Sequence, residues 1–169
     1  LLFNTFVVAG MITVGKVVLS LFGGMALVYF RFPGKNLVFI LILSALMIPG
    51  EVTIIALYRL VVMDLGWGNT WTAIVVPALA TPTGLFLFRQ HFAGITPELC
   101  EAAQLDGATP LQFLFRILLP VSKTTVAALV TIMFIGGWNN YLWPSLVITD
   151  PKKQVIQVGL SSLDAGLEV

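Results

Sequence analysis

Four long apolar segments dominate this sequence and restrict what it can fold into; they cover residues 6–30, 37–62, 70–88 and 124–148. A helix needs about 20 apolar residues to cross the hydrocarbon core of a bilayer, and each segment reaches that length or nearly so. Backbone N–H and C=O groups in lipid must be satisfied within their own segment, which favours helices. We therefore predict an all-α, polytopic membrane protein with one transmembrane domain over residues 1–169.

The composition agrees with this prediction. Apolar residues make up 58% of the chain and charged residues 10%, and the mean hydropathy is +0.98. A soluble domain is about a quarter charged, and a water-soluble fold of this size could not cover so much apolar surface. The single cysteine, Cys100, excludes an internal disulfide framework. Because the first residue is Leu1 rather than methionine, we expect a piece of a longer protein.

The basic residues between the segments predict the orientation. The larger group lies on one side and holds Arg31, Lys35, Arg89, Arg116 and Lys123. The smaller group lies on the other side and holds Arg59, Lys152 and Lys153. Cytoplasmic loops carry an excess of Lys and Arg, so we expect the larger group and the loop at residues 89–123 to face the cytoplasm. Aromatic residues near the outer ends would anchor the spans at the interface; they are Trp67, Trp71, Trp138, Tyr141 and Trp143.

The loop at residues 89–123 contains the start and stop signals of two short helices. Residues 96–98 read Thr-Pro-Glu, which is typical of an N-cap, a first-position proline and a first-turn acid. Gly107 can end that helix in a left-handed conformation. Thr109 and Gln112 have the spacing of a capping box at the start of the second helix. Such a rigid, exposed and acidic element predicts a docking surface for a partner with a basic cleft.

A motif in this loop is specific enough to name a family. Its fixed positions are Glu101, Ala102, Ala103, Gly107, Ile117, Leu119 and Pro120. They resemble the EAA motif of binding-protein-dependent ABC importer permeases, and every fixed position matches. The resemblance implies that these residues couple the chain to a cytoplasmic ATPase, into whose cleft the first helix inserts. Alanines allow close approach, a glutamate supplies a charged hydrogen bond and a glycine permits the turn.

The resemblance extends over essentially the whole chain. Within the family, the chain is similar to the carbohydrate-uptake branch, which is the maltose and glycerol-phosphate permease type. Further matching segments lie at residues 4–5, 31–34, 47–49, 88–90 and 138–144. The branch implies the type I permease fold in a bacterial or archaeal inner membrane. Its members usually have six spans, of which this chain would hold about four. It also implies a sugar or sugar-like solute, although the motif alone leaves peptides and amino acids open.

Partners follow from the same resemblance, since the chain lacks a nucleotide site of its own. Gly10, Gly15 and Lys16 are spaced as in a P-loop, but Val17 replaces the hydroxyl residue and the segment lies inside a predicted span. We therefore expect ATP hydrolysis by partner ATPase subunits, together with a second permease subunit, an extracytoplasmic solute-binding protein and membrane lipid. The sequence suggests no cofactor, metal site, catalytic set or nucleic-acid partner, and we expect His91 to be a solvated loop residue.

Two charges inside predicted spans are candidates for the solute path. Lys16 and Glu51 are costly in lipid, and such residues usually face a pathway or each other. Either they line a polar interior, or they form a structural pair, or Glu51 reaches the outer interface. A passive channel or a membrane-embedded enzyme also remains open, although an enzyme would need more ionisable groups than the spans contain.

A polar and aromatic cluster in the last segment is the second candidate for solute contact. It consists of Trp138, Asn139, Asn140 and Tyr141. Amides beside flat rings suit sugars, which offer both hydroxyl groups and apolar faces. The alternative is that the amides form hydrogen bonds between spans. Prolines and glycines in the second and third segments would loosen those helices. Either the carbonyls that they free line a cavity, or the residues form kinks that serve helix packing.

Overall fold

The computed structural model describes the backbone of residues 1–167, and within that range the side chains of Glu51 and of residues 162–167 are not described. This part of the chain is helical and contains no β-strand, as predicted. The α-helices are α1 Leu2–Tyr29, α2 Lys35–Ser44, α3 Gly50–Tyr58, α4 Trp71–Ala78, α5 Pro82–Ala93, α6 Pro97–Leu105, α7 Pro110–Phe113, α8 Leu119–Val121, α9 Lys123–Trp138, α10 Leu142–Val147 and α11 Ile156–Leu167. Two short π-helices occupy Arg59–Asp64 and Leu114–Leu118.

The predicted spans differ in continuity. Helix α1 is long and apolar enough to cross a membrane by itself, and up to four spans result if each bent pair of helices counts as one. The structure interrupts each of the other three segments, and prolines and glycines were expected to loosen the helices of the second and third. Pro49 and Pro82 stand at two of the breaks, where a missing N–H and a restricted preceding residue disfavour a continuous helix. The third break falls between Trp138 and Leu142.

The chain divides into two compact units. Unit 1 comprises residues Leu1–Lys16, Ile48–Ala80 and the chain from Ile132 onward, and unit 2 comprises Val17–Met47 and Thr81–Thr131. The five basic residues predicted to face the cytoplasm all belong to unit 2, whereas the three of the smaller group belong to unit 1.

Unit 1 is built around an apolar core. Its buried residues are Val8, Ile12, Val61, Ala73, Ile74, Val75, Trp143, Val147, Ile148 and Val155. The Trp143 indole N–H donates to the Ala73 carbonyl at 2.8 Å, so this ring is a core residue rather than the interfacial anchor we predicted. A buried indole needs an acceptor for its N–H, and the carbonyl of α4 supplies one.

The segment after α10 is tied down in unit 1. Asn4 Nδ2 donates to the carbonyls of Lys152 and Gln154, at 2.8 and 3.0 Å. Asn69 Oδ1 accepts from the N–H of Asp150 at 2.9 Å, and Trp71 Nε1 donates to the Lys153 carbonyl at 3.3 Å. Residues distant in sequence therefore hold a connection that has little regular structure of its own.

Unit 2 depends on close packing between the second half of α1 and α5. A Cβ added at Gly24 would lie 2.8 Å from the Phe88 Cβ and 3.1 Å from the Arg89 nitrogen, and one added at Gly84 would collide with Ser20. Ser20 and Gly24 are four residues apart, the small-residue spacing that lets helices approach closely in membranes. The Phe88 side chain is fully buried at this contact.

Candidate functional site

The first loop helix begins where the sequence predicts. Thr96 is the N-cap, Pro97 follows at the first helical position and Glu98 lies in the first turn of α6. The Thr96 side chain makes no capping hydrogen bond, so the position is correct but the predicted side-chain cap is absent. Proline already has the helical φ angle, and an acid near the N-terminus interacts favourably with the helix dipole.

The end of α6 is a left-handed turn at Gly107, as predicted. Its φ is 71°, and its N–H donates to the Gln104 carbonyl at 3.0 Å. The Ala108 N–H donates to the Ala103 carbonyl, also at 3.0 Å. These two bonds form a Schellman motif, which satisfies carbonyls left free at the end of the helix. The motif glycine therefore sets the direction in which the chain leaves α6.

The capping box of α7 is also confirmed. Thr109 Oγ1 accepts from the Gln112 N–H at 3.3 Å, and Gln112 Oε1 accepts from the Thr109 N–H at 2.9 Å. After α7 the chain continues through a π-helix into α8, where the Leu119 N–H bonds to the Leu114 carbonyl. Pro120 lies in the first turn of α8, a position that tolerates proline. The helical chain of the second loop helix therefore extends as far as Val121.

The motif residues divide between two faces of the loop. Glu101, Ala102 and Gly107 are exposed, whereas Ala103 is buried at 5% exposure. Ile117 and Leu119 are half-buried and Pro120 is exposed. Helical spacing thus turns the glutamate and first alanine outward while the second alanine packs inward.

Two exposed leucines extend the outward face and were missed by the sequence analysis. Leu105 on α6 is 90% exposed, and Leu111 on α7 is 56% exposed. A large apolar side chain so exposed next to an acidic helix is typical of a contact surface. No signal in the sequence marks either leucine, because an apolar residue does not show by itself whether it faces a core or a partner.

Aromatic packing supports the loop in unit 2. The Tyr29 ring meets the Phe113 ring edge-on at 5.1 Å, and the Tyr29 hydroxyl donates to the Phe92 carbonyl at 3.3 Å. Beside these rings lies a cavity of about 120 Å³, which Cys100 and Ala103 also line. The inner face of α6 therefore rests partly on open space rather than on a filled core.

The intramembrane charges are only partly described. Lys16 lies in α1 and is half-buried. Glu51 belongs to α3, but its side chain lies outside the described residues. Their pairing therefore stays a prediction.

The polar cluster in the last segment lies at the break between α9 and α10. Gln157 Nε2 donates to Asn139 Oδ1 at 3.4 Å, and the Tyr141 hydroxyl bonds to the Ser161 hydroxyl at 3.0 Å. These contacts join the break to α11, which favours the interhelical interpretation for Asn139 and Tyr141. Gln157 and Ser161 were not singled out from the sequence.

The other two members of this cluster are half-buried. The Trp138 ring packs against Phe134 with centroids 5.8 Å apart, and Asn140 follows in the break between the helices. Both remain candidates for solute contact.

The prediction for His91 was wrong. It lies within α5, is half-buried, and its Nδ1 pairs with the Thr125 hydroxyl at 3.2 Å. The residue was placed in a loop because the apolar segment ends before it, whereas the helix continues to Ala93.

Comparison with known proteins identifies the family. The family of binding-protein-dependent transport system inner membrane components matches residues 16–167, which include the whole motif. The chain belongs to this family. Its predicted resemblance, its all-α permease fold and its place among inner-membrane components are thereby confirmed.

Relatives of this family member include named transporters. It is 48% identical over 163 residues to the sn-glycerol-3-phosphate transport system permease protein UgpE of Rhizobium meliloti, covering 96% of this chain and 57% of the relative. It is 45% identical over 165 residues to UgpE of Pectobacterium atrosepticum, covering 98% of this chain and 58% of the relative. The chain thus spans a little over half the length of these relatives.

A solved structure has the same fold. A bacterial ABC transporter involved in the import of the acidic polysaccharide alginate matches with a TM-score of 0.82 and 26% identity. The match covers 99% of this chain and 60% of that chain.

Proposed function

We propose that the chain forms part of a permease subunit of an ATP-binding-cassette importer, which moves a sugar or sugar-like polar solute into the cytoplasm by alternating access. It is a transport subunit rather than an enzyme, and partner ATPase subunits hydrolyse ATP. A second permease subunit would complete the path, and an extracytoplasmic binding protein would deliver the solute. The observation that carries this proposal is the pair of loop helices α6 and α7 with their outward-facing motif residues.

The geometry of the loop suits the transfer of force. The Schellman motif at Gly107 and the capping box of Thr109 and Gln112 fix both helix ends that flank the turn. A rigid turn transmits a push from a partner as a movement of the whole element. Exposed Glu101 offers a charge-assisted hydrogen bond, and exposed Leu105 offers apolar area, to an ATPase cleft. Residues Ala103, Ile117 and Leu119 would pass the movement to the packed side.

The relatives support an anionic, sugar-like solute. Two of them are named for sn-glycerol-3-phosphate, and the solved structure for import of an acidic polysaccharide. Lys16 is a cation within α1, a helix without acidic residues, and would complement such a solute if it faces the path. Trp138 and Asn140 are candidates for contacts with the sugar or polyol part, and Glu51 stays a path candidate. We therefore propose sn-glycerol 3-phosphate as the first solute to test.

The experiment is ATP-dependent uptake by the full-length protein reconstituted in liposomes with its ATPase, second permease and binding protein. Glu101→Lys should abolish uptake while the permease still inserts into the membrane. Glu98→Lys is the matched control, because Glu98 is also exposed on α6 but lies outside the motif. Normal uptake by Glu101→Lys would contradict the coupling role.

The same reconstituted system tests the transporter class and the identity of the solute separately. Uptake without ATP would indicate a channel. ATP-dependent uptake of another solute, such as a peptide, would leave the permease class intact and overturn only the sugar-like assignment.

A further inference from the structure

Three basic residues of unit 2 form no ion pair with any side chain that the structure describes. Arg31 lies two residues beyond the end of α1, Lys35 begins α2, and Arg89 lies in the second half of α5. None of these three helices contains an Asp or Glu, and the sequence has no acid before Glu51. Within the described part of the chain none of the three forms an ion pair. No described acidic side chain therefore competes with an external anion for these three cations.

Lys35 is held in place by the end of α1. Its Nζ donates to the carbonyls of Val28 and Phe30, at 3.3 and 3.2 Å. An ammonium group has three donors, so one N–H remains for a further acceptor. Arg31 directly follows Phe30 and is exposed. The two basic residues therefore flank the same short turn of the chain between α1 and α2.

Arg89 is fixed beside the same region by an aromatic ring. Its guanidinium carbon lies 4.7 Å from the centroid of Phe39, which in turn stacks on Phe86 at 6.4 Å. Phe39 is one helical turn from Lys35 on α2, so Arg89 lies alongside the turn that Lys35 begins. Its Nη1 donates to Gln90, which leaves other N–H groups of the guanidinium free.

Exposed aromatic side chains lie on either side of Arg31. Phe30 is 43% exposed and Phe32 is 39% exposed. In a membrane protein, rings next to basic residues are typical of the level where acyl chains meet headgroups. A ligand at this place would offer apolar carbon to the rings and an anion to the cations.

We propose that Arg31, Lys35 and Arg89 bind the phosphate of an anionic phospholipid, with Phe30 and Phe32 against its glycerol and acyl carbons. Arginine presents a planar fork that suits phosphate oxygens, and the lysine adds a point charge. Zwitterionic lipids fit less well because their own ammonium group already neutralises the phosphate. This site differs from a basic loop that is merely attracted to an anionic bilayer. Its residues Lys35 and Arg89 are half-buried, and contacts with Val28 and Phe39 hold them in place.

Lipid retention by the full-length permease tests the proposal. The complex is purified in mild detergent with equal amounts of phosphatidylglycerol and phosphatidylcholine, and native mass spectrometry measures which lipids stay bound. The test variant is Arg31→Gln with Arg89→Gln. The control is Arg116→Gln with Lys123→Gln, which removes the same charge from two exposed residues of unit 2.

We expect phosphatidylglycerol to be retained preferentially, with apparent affinity about tenfold lower or more in the test variant, since each basic residue near a lipid surface contributes about 1 kcal/mol. The control should change less than about twofold. Equal losses in both double variants, no lipid preference in the wild type, or displacement of the lipid by inorganic phosphate would each overturn the proposal. If the double variant cannot be extracted, Arg31→Gln alone serves, because this exposed side chain makes no hydrogen bond within the described structure.

Discussion

The Asn69 carboxamide oxygen accepts hydrogen bonds from both the N–H and the hydroxyl of Thr149, at 2.7 and 2.9 Å. It accepts a third from the Asp150 N–H. Asn69 has a φ of 58°, and its own N–H donates to the Val147 carbonyl. Asparagine tolerates this left-handed conformation better than most residues. Asn69, in the turn before α4, therefore fixes the direction in which the chain leaves α10.

Removing this side chain should destabilise unit 1. We expect Asn69→Ala to lower the free energy of unfolding by about 2–4 kcal/mol, because three hydrogen bonds are lost and alanine is strained at positive φ. Thermal unfolding of the detergent-solubilised full-length protein measures the effect. Asn69→Gly keeps the backbone conformation and should cost less than alanine; equal costs would show that the backbone contributes nothing.

Because α1 contacts α5 at Gly24 but not at Gly10, a methyl group added at these two positions should affect stability differently. Gly24→Ala should cost about 1–3 kcal/mol, because the new Cβ meets the Phe88 Cβ and the Arg89 backbone. Gly10→Ala, in the same helix, is the control, since nothing lies within 4 Å of a Cβ there. It should be neutral or raise the melting temperature slightly, because alanine is the better helix former. A loss of stability at both positions would point to a general intolerance of α1.

The turn at Gly107 should be sensitive even though space around it is open. No atom lies within 4 Å of a Cβ there, so Gly107→Ala tests the left-handed backbone alone. We expect a local cost of about 1–2 kcal/mol and reduced uptake per ATP hydrolysed, because α7 would leave α6 in another direction. Gly107→Asn should retain more coupling than Gly107→Ala.

A matched position separates turn geometry from loop damage. Gly94 ends α5 with an ordinary φ of −87°, and its Cβ would make only normal contacts. Gly94→Ala should therefore keep wild-type coupling. Equal effects at both glycines would contradict the role of the left-handed turn.

Cys100 offers a chemical probe of the open space beneath α6. It is half-buried and lines the cavity with Tyr29, Ala103 and Phe113. We expect a small methylating thiol reagent to leave uptake nearly unchanged, whereas a bulky maleimide should displace α6 and inhibit it. The Cys100→Ser variant should resist both reagents. Inhibition of that variant would place the effect at a cysteine elsewhere in the full-length protein.

Local signals account for what could be predicted about the candidate site. The capping box of Thr109 and Gln112 and the turn at Gly107 depend on groups within a few residues of each other, so their energies are encoded in short stretches of sequence. The missing side-chain cap at Thr96 marks a limit, since helix α6 begins at Pro97 without that bond. Exposed Leu105 was missed because an apolar residue carries no sign of whether it faces a core or a partner.

Hydropathy predicted that the chain is a helical membrane protein, but it did not predict where the helices break. A sum over about 20 residues reports the free energy of transfer into lipid and is insensitive to local interruptions. The break at residues 139–141 is joined to α11 by Gln157 and Ser161, which are 18 and 20 residues from their partners. Helix propensity contains no information on such bonds.

The sequence by itself determined the class, the motif and the caps, because each depends on composition or on neighbours along the chain. Only the tertiary structure decided that Trp143 is a core residue and that His91 pairs with Thr125. It also decided that the Val28 carbonyl holds Lys35 and that Arg89 lies over the Phe39 ring. In a membrane protein both the lipid-facing and the buried sides of a helix are apolar, so periodicity does not distinguish them. Contacts between distant segments must therefore be seen in the fold.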